Sequence, residues 1–355
     1  MKICGKTFKN LRAGLSVAAM FLIILPLSGF ISDIPHHLLF TYGMGSEQAG
    51  TWPNGMIEYE ELDRREEGLE MEGRIPSLTH NAGIAVQSRI NDVIDHVIAS
   101  KIADAREMRA RTLTFDFDAY FSAPYMSIVL KSTAASASSK TEVVSVNFNT
   151  ANGETVSAEE VVGAHVVQLA DRLLVEMIRR NPERYNPGFA GMRDDQAFSL
   201  TNSEIVFWFN EFQLAPGFEG IVPLAMRLRD IREAELSYDE FRVYGGFNLK
   251  MIPLPLVLPE LGYRLYWNTE TARPSVYHND ELIIELIPDV NDYIRESRFA
   301  SFTRSLEVAP EIRYGRTYVP ISFFDQILSL VAYSIDENDN ITFASYLVTD
   351  DWFDR

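Results

Sequence analysis

Residues 251–268, MIPLPLVLPELGYRLYWN, are echoed by YGRTYVPISFFDQILSLVAYSIDENDN at 314–340. In each copy a hydrophobic residue and a proline (Ile252-Pro253, Val319-Pro320) lead into a short apolar helix-like run, then an apolar strand, then a polar turn. Such self-similarity marks a module built from two like units. It confines residues 246–348 to a small α+β domain with an internal repeat. No metal-ligand cluster appears within it, and modules of this kind more often bind or space than catalyse.

A chain of 355 residues that is 46% hydrophobic and 12% aromatic can supply cores for two domains. The N-terminus carries Lys2, Lys6, Lys9 and Arg12 ahead of an apolar run from Ala13 to Ile31. As a helix that run spans about 28 Å, close to a bilayer's hydrocarbon core. Residues 1–32 therefore read as a signal peptide or a signal anchor, with membrane contact through 13–31. The flanking charge puts the chain beyond Ser32 outside the cytoplasm. The single cysteine, Cys4, precedes the run, so the exported part holds no disulfide, as suits a Gram-positive type of cell surface. The four basic residues of 1–32 have no acidic counterpart, which leaves 28 Lys and Arg against 50 Asp and Glu beyond it, a net charge of −22. Such a field repels nucleic acid and speeds encounter with cationic partners.

Residues 33–75 read as a spacer, glycine-rich and charged, with a short helix expected at 57–67. An α+β domain comes next, over 76–230. Val86, Ile90, Val93, Ile94, Val97 and Ile102 form one helical stripe. TLTFDFD at 112–118, YMSIVLK at 125–131 and EVVSVNFN at 142–149 read as strands, with Val144, Val146 and Phe148 facing in. Ser157 and Glu160 form a capping box that opens a second long helix, stopped before Pro182. EIVFWFNEF at 204–212 and IVPLAMRL at 221–228 complete a largely antiparallel sheet under the two helices. The charged stretch 231–245 reads as a linker to the repeat module, and 349–355 as an acidic tail.

Few residues offer chemistry. Asp116 and Asp118 share a strand face and would be the first candidates for a hydrolase acting on glycosidic bonds, although a wet sheet face explains the alternation. His36 and His37 are expected on the opposite side of the membrane from Cys4 and so form no site with it, and His80, His96, His165 and His278 show no metal-ligand spacing. Ser138 and Ser139 sit in a small-residue stretch suited to a hairpin loop. No nucleophile elbow, zinc-protease, P-loop or dinucleotide fingerprint is present. The aromatic run Phe207, Trp208, Phe209 and Phe212 could stack on sugar rings, but a strand apolar on both faces is more often buried, so Phe207 and Phe209 read as core and Trp208 as either core or a stacking surface.

In the first domain, IPSL at 75–78, INDVID at 90–95, YMSIVL, VVSVNFNTANGE and above all FSLTNSEIVFWFNEFQLAPGFEG at 198–220 resemble a family of extracytoplasmic domains. That family forms the outer part of the Gram-positive anti-sigma-V factor, where it senses lysozyme, and precedes the catalytic domain of a peptidoglycan deacetylase. Its usual Gly-Gly-x-His element is replaced by Ala134-Ala135-Ser136-Ala137-Ser138. The repeat module, through MIPLPLVLPELGYRLYWN and AP(x)4GRTYVPISFF at 309–324, resembles the copper amine oxidase N-terminal-like domain, a non-catalytic appendage of wall-associated proteins. Pro255 and Ser322 stand where an arginine is common.

The chain is thus expected to be a non-enzymatic surface or secreted protein without cofactor or metal. Its expected partner is peptidoglycan or a cationic, lysozyme-like protein, with Glu211 and Glu219 beside the LAPG turn as contacts. The rival readings are an accessory sensor in a membrane signalling complex and a peptidoglycan-modifying hydrolase.

Overall fold

Alternation of apolar and polar residues builds most of this molecule. The computed structural model describes residues 57–79, 83–244, 249–296, 301–328 and 330–346. Expectations for 1–32, His36, His37, His80 and the 349–355 tail lie outside them. Among the described residues no helix is long and apolar enough to cross a membrane.

Five strands form the first sheet in sequential order: β1 (Ile57–Glu66), β2 (Leu69–Leu78), β3 (Thr112–Ser122), β4 (Tyr125–Ala135) and β5 (Ser139–Asn149). All neighbours are antiparallel except β2 and β3. A parallel pair needs a crossover, and helix α1 (Ile84–Glu107) supplies it. Its buried Ile90, Ile94, Ile98 and Ile102 pack with Met71, Leu113, Phe115 and Ile128 of the sheet.

The expected spacer over 33–75 needs correction, because β1 and most of β2 fall inside it. Residues 57–66 are an extended edge strand rather than a helix, and only Ile57 and Leu62 are partly covered. Glu67 and Gly68 both have positive φ, of 51° and 88°, and close a two-residue hairpin loop in which Glu66 pairs Leu69. Burial of Leu69, Met71, Pro76 and Leu78 anchors this hairpin on the core.

The Ser157–Glu160 capping box forms as expected. It opens only the short α2 (Ala158–Val162), because Gly163 at φ 85° breaks the helix before α3 (Ala164–Arg180). Strands β6 (Phe198–Leu200), β7 (Glu204–Phe209) and β8 (Val222–Arg227) make a second, antiparallel sheet.

The expected linker over 231–245 also needs correction. Residues Ile231–Leu236 form β9, the outer strand of a sheet with β19 (Val331–Ile335) and β20 (Ile341–Tyr346). Ala234 and Leu236 are buried while Arg232, Glu233 and Glu235 are exposed, so the charges that suggested a linker are the wet face of a half-buried strand. Strand β10 (Arg242–Tyr244) pairs with β11 (Leu249–Pro253).

The repeat is structural. Its first copy runs β11, α4 (Leu254–Val257), β12 (Tyr263–Asn268), and its second β18 (Arg316–Pro320), α5 (Ser322–Gln326), β19. The leading strands pair antiparallel with Ile252 opposite Val319, so the equivalent residues of the two copies meet across a local pseudo-twofold axis. Each proline ends its ladder, where a missing N–H is tolerated. The insertion between the copies forms a meander of β12, β13 (Arg273–His278), β14 (Glu281–Glu285), β15 (Asp292–Glu296) and β16 (Ser301–Ser305), and β17 (Glu311–Arg313) flanks β18. Leu254, Val257, Phe323 and Phe324 of the two short helices share one core. A neighbouring core joins Leu169, Leu173, Phe207 and Phe209 to Ala332, Ala344 and Tyr346. The two halves of the chain are therefore packed on each other through α3.

Candidate functional site

After β7 the chain enters a turn, 210–220, whose polar groups are almost all engaged inward. Asn210 acts as an extra strand residue along the free edge of β5: its Oδ1 accepts from Val143 N–H at 2.7 Å and its Nδ2 donates to Val143 C=O at 3.1 Å. Asn210 N–H donates to Gln213 Oε1 at 2.9 Å, and Gln213 Nε2 donates to Gln196 Oε1 at 3.1 Å. Leu214 and Ala215 are buried, and the Leu214 carbonyl accepts from Asn186 N–H at 2.8 Å.

The expected contact residues fall into this scaffold. Glu211 accepts from Thr141 N–H at 3.3 Å, continuing the edge clamp. Glu219 faces Arg184 at 3.8 Å with its side chain about three-quarters buried (23% exposed). Arg184 also lies over the Tyr185 ring at 5.5 Å. Burial raises the Tyr185 phenol above its ordinary value, with Arg184 opposing.

The turn presents two phenylalanines, Phe212, which the sequence offers as the last member of the aromatic run, and Phe218, which it does not mark. Phe212 is 71% exposed and Phe218 84%. Phe212 adopts φ 65°, an uncommon conformation for a bulky residue, and its ring lies over Gly217, where an added Cβ would meet Cζ at 2.2 Å. Strain of this kind persists where surrounding contacts over-determine it. The spacing of the two aromatics around Pro216-Gly217 was the available signal, but exposure is not written in residue type.

The other candidates are dispersed. Asp116 is ion-paired with Arg74, which also lies 5.7 Å from the Tyr59 and Phe117 rings. Burial raises the Asp118 carboxyl, with Asp116 adding to the shift. Burial likewise pushes the Tyr120 phenol up to about 12, with Asp118 adding to it. His96 is exposed on α1. His165 bonds Glu233 at 2.9 Å and Ser334 at 3.3 Å, tying α3 to β9 and β19. His278 stacks on Tyr263 at 4.5 Å, and burial lowers its pKa. Ser138 is exposed in the loop between β4 and β5, Ser139 is exposed as the first residue of β5, and Trp208 donates to Ser199 at 3.1 Å. Among the described residues no group of three or more His, Cys, Asp or Glu is placed to hold a metal ion.

No curated protein matches the chain. Among the solved structures that resemble part of it are two members of the DUF3298 family. One, from Bacteroides fragilis NCTC 9343, is 10% identical over 49% of this chain and 92% of its own, with a TM-score of 0.36. The other, from Pseudomonas aeruginosa PAO1, is 11% identical over 47% of this chain and 88% of its own, also with a TM-score of 0.36. Residues 245–342, the segment that contains the pseudo-twofold repeat, match the family model described as the copper amine oxidase N-terminal domain.

Proposed function

We propose that this is a non-enzymatic, extracytoplasmic binding protein that captures a cationic protein partner, of the lysozyme type, on the 210–220 turn. The reading rests on one observation: Phe212 and Phe218 stand exposed on a turn whose polar groups are tied to β5, Gln196 and Arg184. Rigid exposed aromatics are the usual anchors of an interface, since little entropy is lost when they dock. The net charge of −22 beyond residue 32 draws a basic partner in, and the aromatic pair then holds it. Glu211 and Glu219 serve this surface by holding the turn in shape. The repeat module acts as a wall-proximal spacer or recognition surface.

The test is binding of the full chain to hen-type lysozyme and to purified peptidoglycan as salt is raised. Lysozyme binding that weakens with salt and is lost in Phe212→Ser/Phe218→Ser supports the reading. Binding that survives both substitutions, or binding to neither probe, removes it.

A further inference from the structure

Beneath α3 a cavity of about 1150 Å³ opens between β5, the start of α2, residues 192–196 and α5. Its apolar lining includes Val146, Val167, Phe198 and Phe207. Seven carboxylates line it against two guanidiniums. Both guanidiniums are engaged, since Arg172 donates to the Asp325 carbonyl at 3.3 Å and Arg193 pairs with Asp195 at 3.0 Å. Several carboxylates are also used internally: Asp171 accepts from Met192 N–H at 2.8 Å, and Glu176 binds Arg179 and Arg180.

An acidic wall alone does not make a site, but Asn147 adds an independent observation. Asn147 is only 5% exposed and lines the cavity. Its Nδ2 donates to the Phe198 carbonyl at 3.1 Å, which fixes the orientation of the amide. The acceptor Oδ1 is then buried without a partner among the described residues, and Asp325 Oδ1 in the same cavity is buried and unpartnered too. Burial raises the Asp325 carboxyl above its ordinary value although the Arg172 charge opposes the rise, and a bound cation would oppose it further. Two buried acceptors call for N–H donors. The carboxylate excess calls for positive charge, and the phenylalanines for methylenes. The volume suits a molecule of peptide fragment size rather than a lone ion.

We propose that this cavity binds an alkylammonium group carried on an apolar chain, the chemistry shared by a peptide lysine and a free diamine. The ammonium lies against Asp325 and the outer carboxylates, the methylenes cover Phe198 and Phe207, and a second N–H donates to Asn147 Oδ1. The proposal is independent of the Phe212–Phe218 turn, and blocking either surface leaves the other able to bind.

The test is calorimetric titration of the full chain with Nα-acetyl-lysine-N-methylamide, 1,5-diaminopentane and, as the uncharged control, Nα-acetyl-norleucine-N-methylamide. The lysine derivative is expected to bind at least about tenfold tighter than the control, and Asp325→Asn to weaken it about tenfold. Asp194→Asn/Asp195→Asn, at exposed positions, should weaken it about threefold without changing the melting temperature, which keeps the test valid if Asp325→Asn does not fold. Equal binding of the diamine identifies a free amine as the source, and binding of the lysine derivative alone identifies a peptide. No heat from either amine, or equal affinity for the norleucine control, overturns the proposal.

Discussion

Single positions differ in what their surroundings forbid. Gly73 sits in β2 at φ 127°, and a Cβ there would stand 1.9 Å from the Phe115 carbonyl oxygen. The obstacle is backbone on the neighbouring strand and cannot swing away. Gly73→Ala should therefore lower stability by about 3 kcal/mol or more, read as a fall in the urea midpoint. Gly217 is the opposite case, because the atom in the way belongs to the exposed Phe212 ring. Gly217→Ala should move that ring and leave the midpoint within about 0.5 kcal/mol. On the proposed function it weakens partner binding, so unchanged binding with a displaced ring would count against Phe212 as an anchor. Phe207 and Phe209 were legible as core because they recur at strand period in an apolar run, and both are fully buried. The exposure of Phe212 and Phe218 was not legible, because it depends on which neighbours the fold leaves out.

At the scale of elements, the first sheet depends on how its edges are covered. Strand β5 would present bare N–H and C=O groups, and Asn210 covers those of Val143 with a two-pronged side-chain mimic. Asn210→Ala leaves both groups unpaired and should cost about 1–3 kcal/mol, with increased self-association of the variant on sizing columns. The same strand is tied to α1 through Lys101, which bonds Glu142 at 2.8 Å and Asp104 at 3.0 Å. Burial opposes both charges, yet their hydrogen bond and attraction, with Asp104 also acting on Lys101 and Lys140 on Glu142, outweigh it, so Lys101 rises above its ordinary 10.5 and Glu142 falls below its ordinary 4.5. A depressed carboxyl contributes stability that is present above its unfolded value and lost as pH falls through the folded one. A raised lysine contributes stability that is present below its unfolded value and lost as pH rises through the folded one. Glu142→Gln should cost about 1 kcal/mol at neutral pH and flatten the decline of stability below about pH 4.5; an unchanged acid limb would show that other carboxylates set it. The strands and α1 were legible from period 2 and period 3.6 patterns. The β1–β2 hairpin was obscured because β1 is wet on nearly its whole surface, so its composition resembles a solvated spacer. Strand β9 was hidden in the same way by its alternating charges.

For the molecule as a whole, the decisive contact is α3 against β19 and β20. Ala332, Ala344 and Tyr346, from the repeat half, lie in one core with Leu169, Leu173 and Phe207, and the Tyr346 hydroxyl accepts from Arg227 N–H at 3.0 Å. A shared core couples the halves, so thermal unfolding should follow a single transition. Ala344→Asp, which buries a charge at a fully covered position, should lower that transition as a unit by several kcal/mol; two separated transitions in the variant would show that the halves fold independently. The amino-acid sequence by itself determined the α+β class, the strong helix and strand periods, the acidic field and the repeat, because each of these is a local or additive property of residue order. Only the tertiary structure decided that Ile252 faces Val319 across a pseudo-twofold, that the charged stretch after Asp230 is a strand, and that Glu211 and Glu219 turn inward while Phe212 and Phe218 point out. Those outcomes depend on contacts between residues far apart in the chain, and pairing, burial and exposure exist only once such contacts are made.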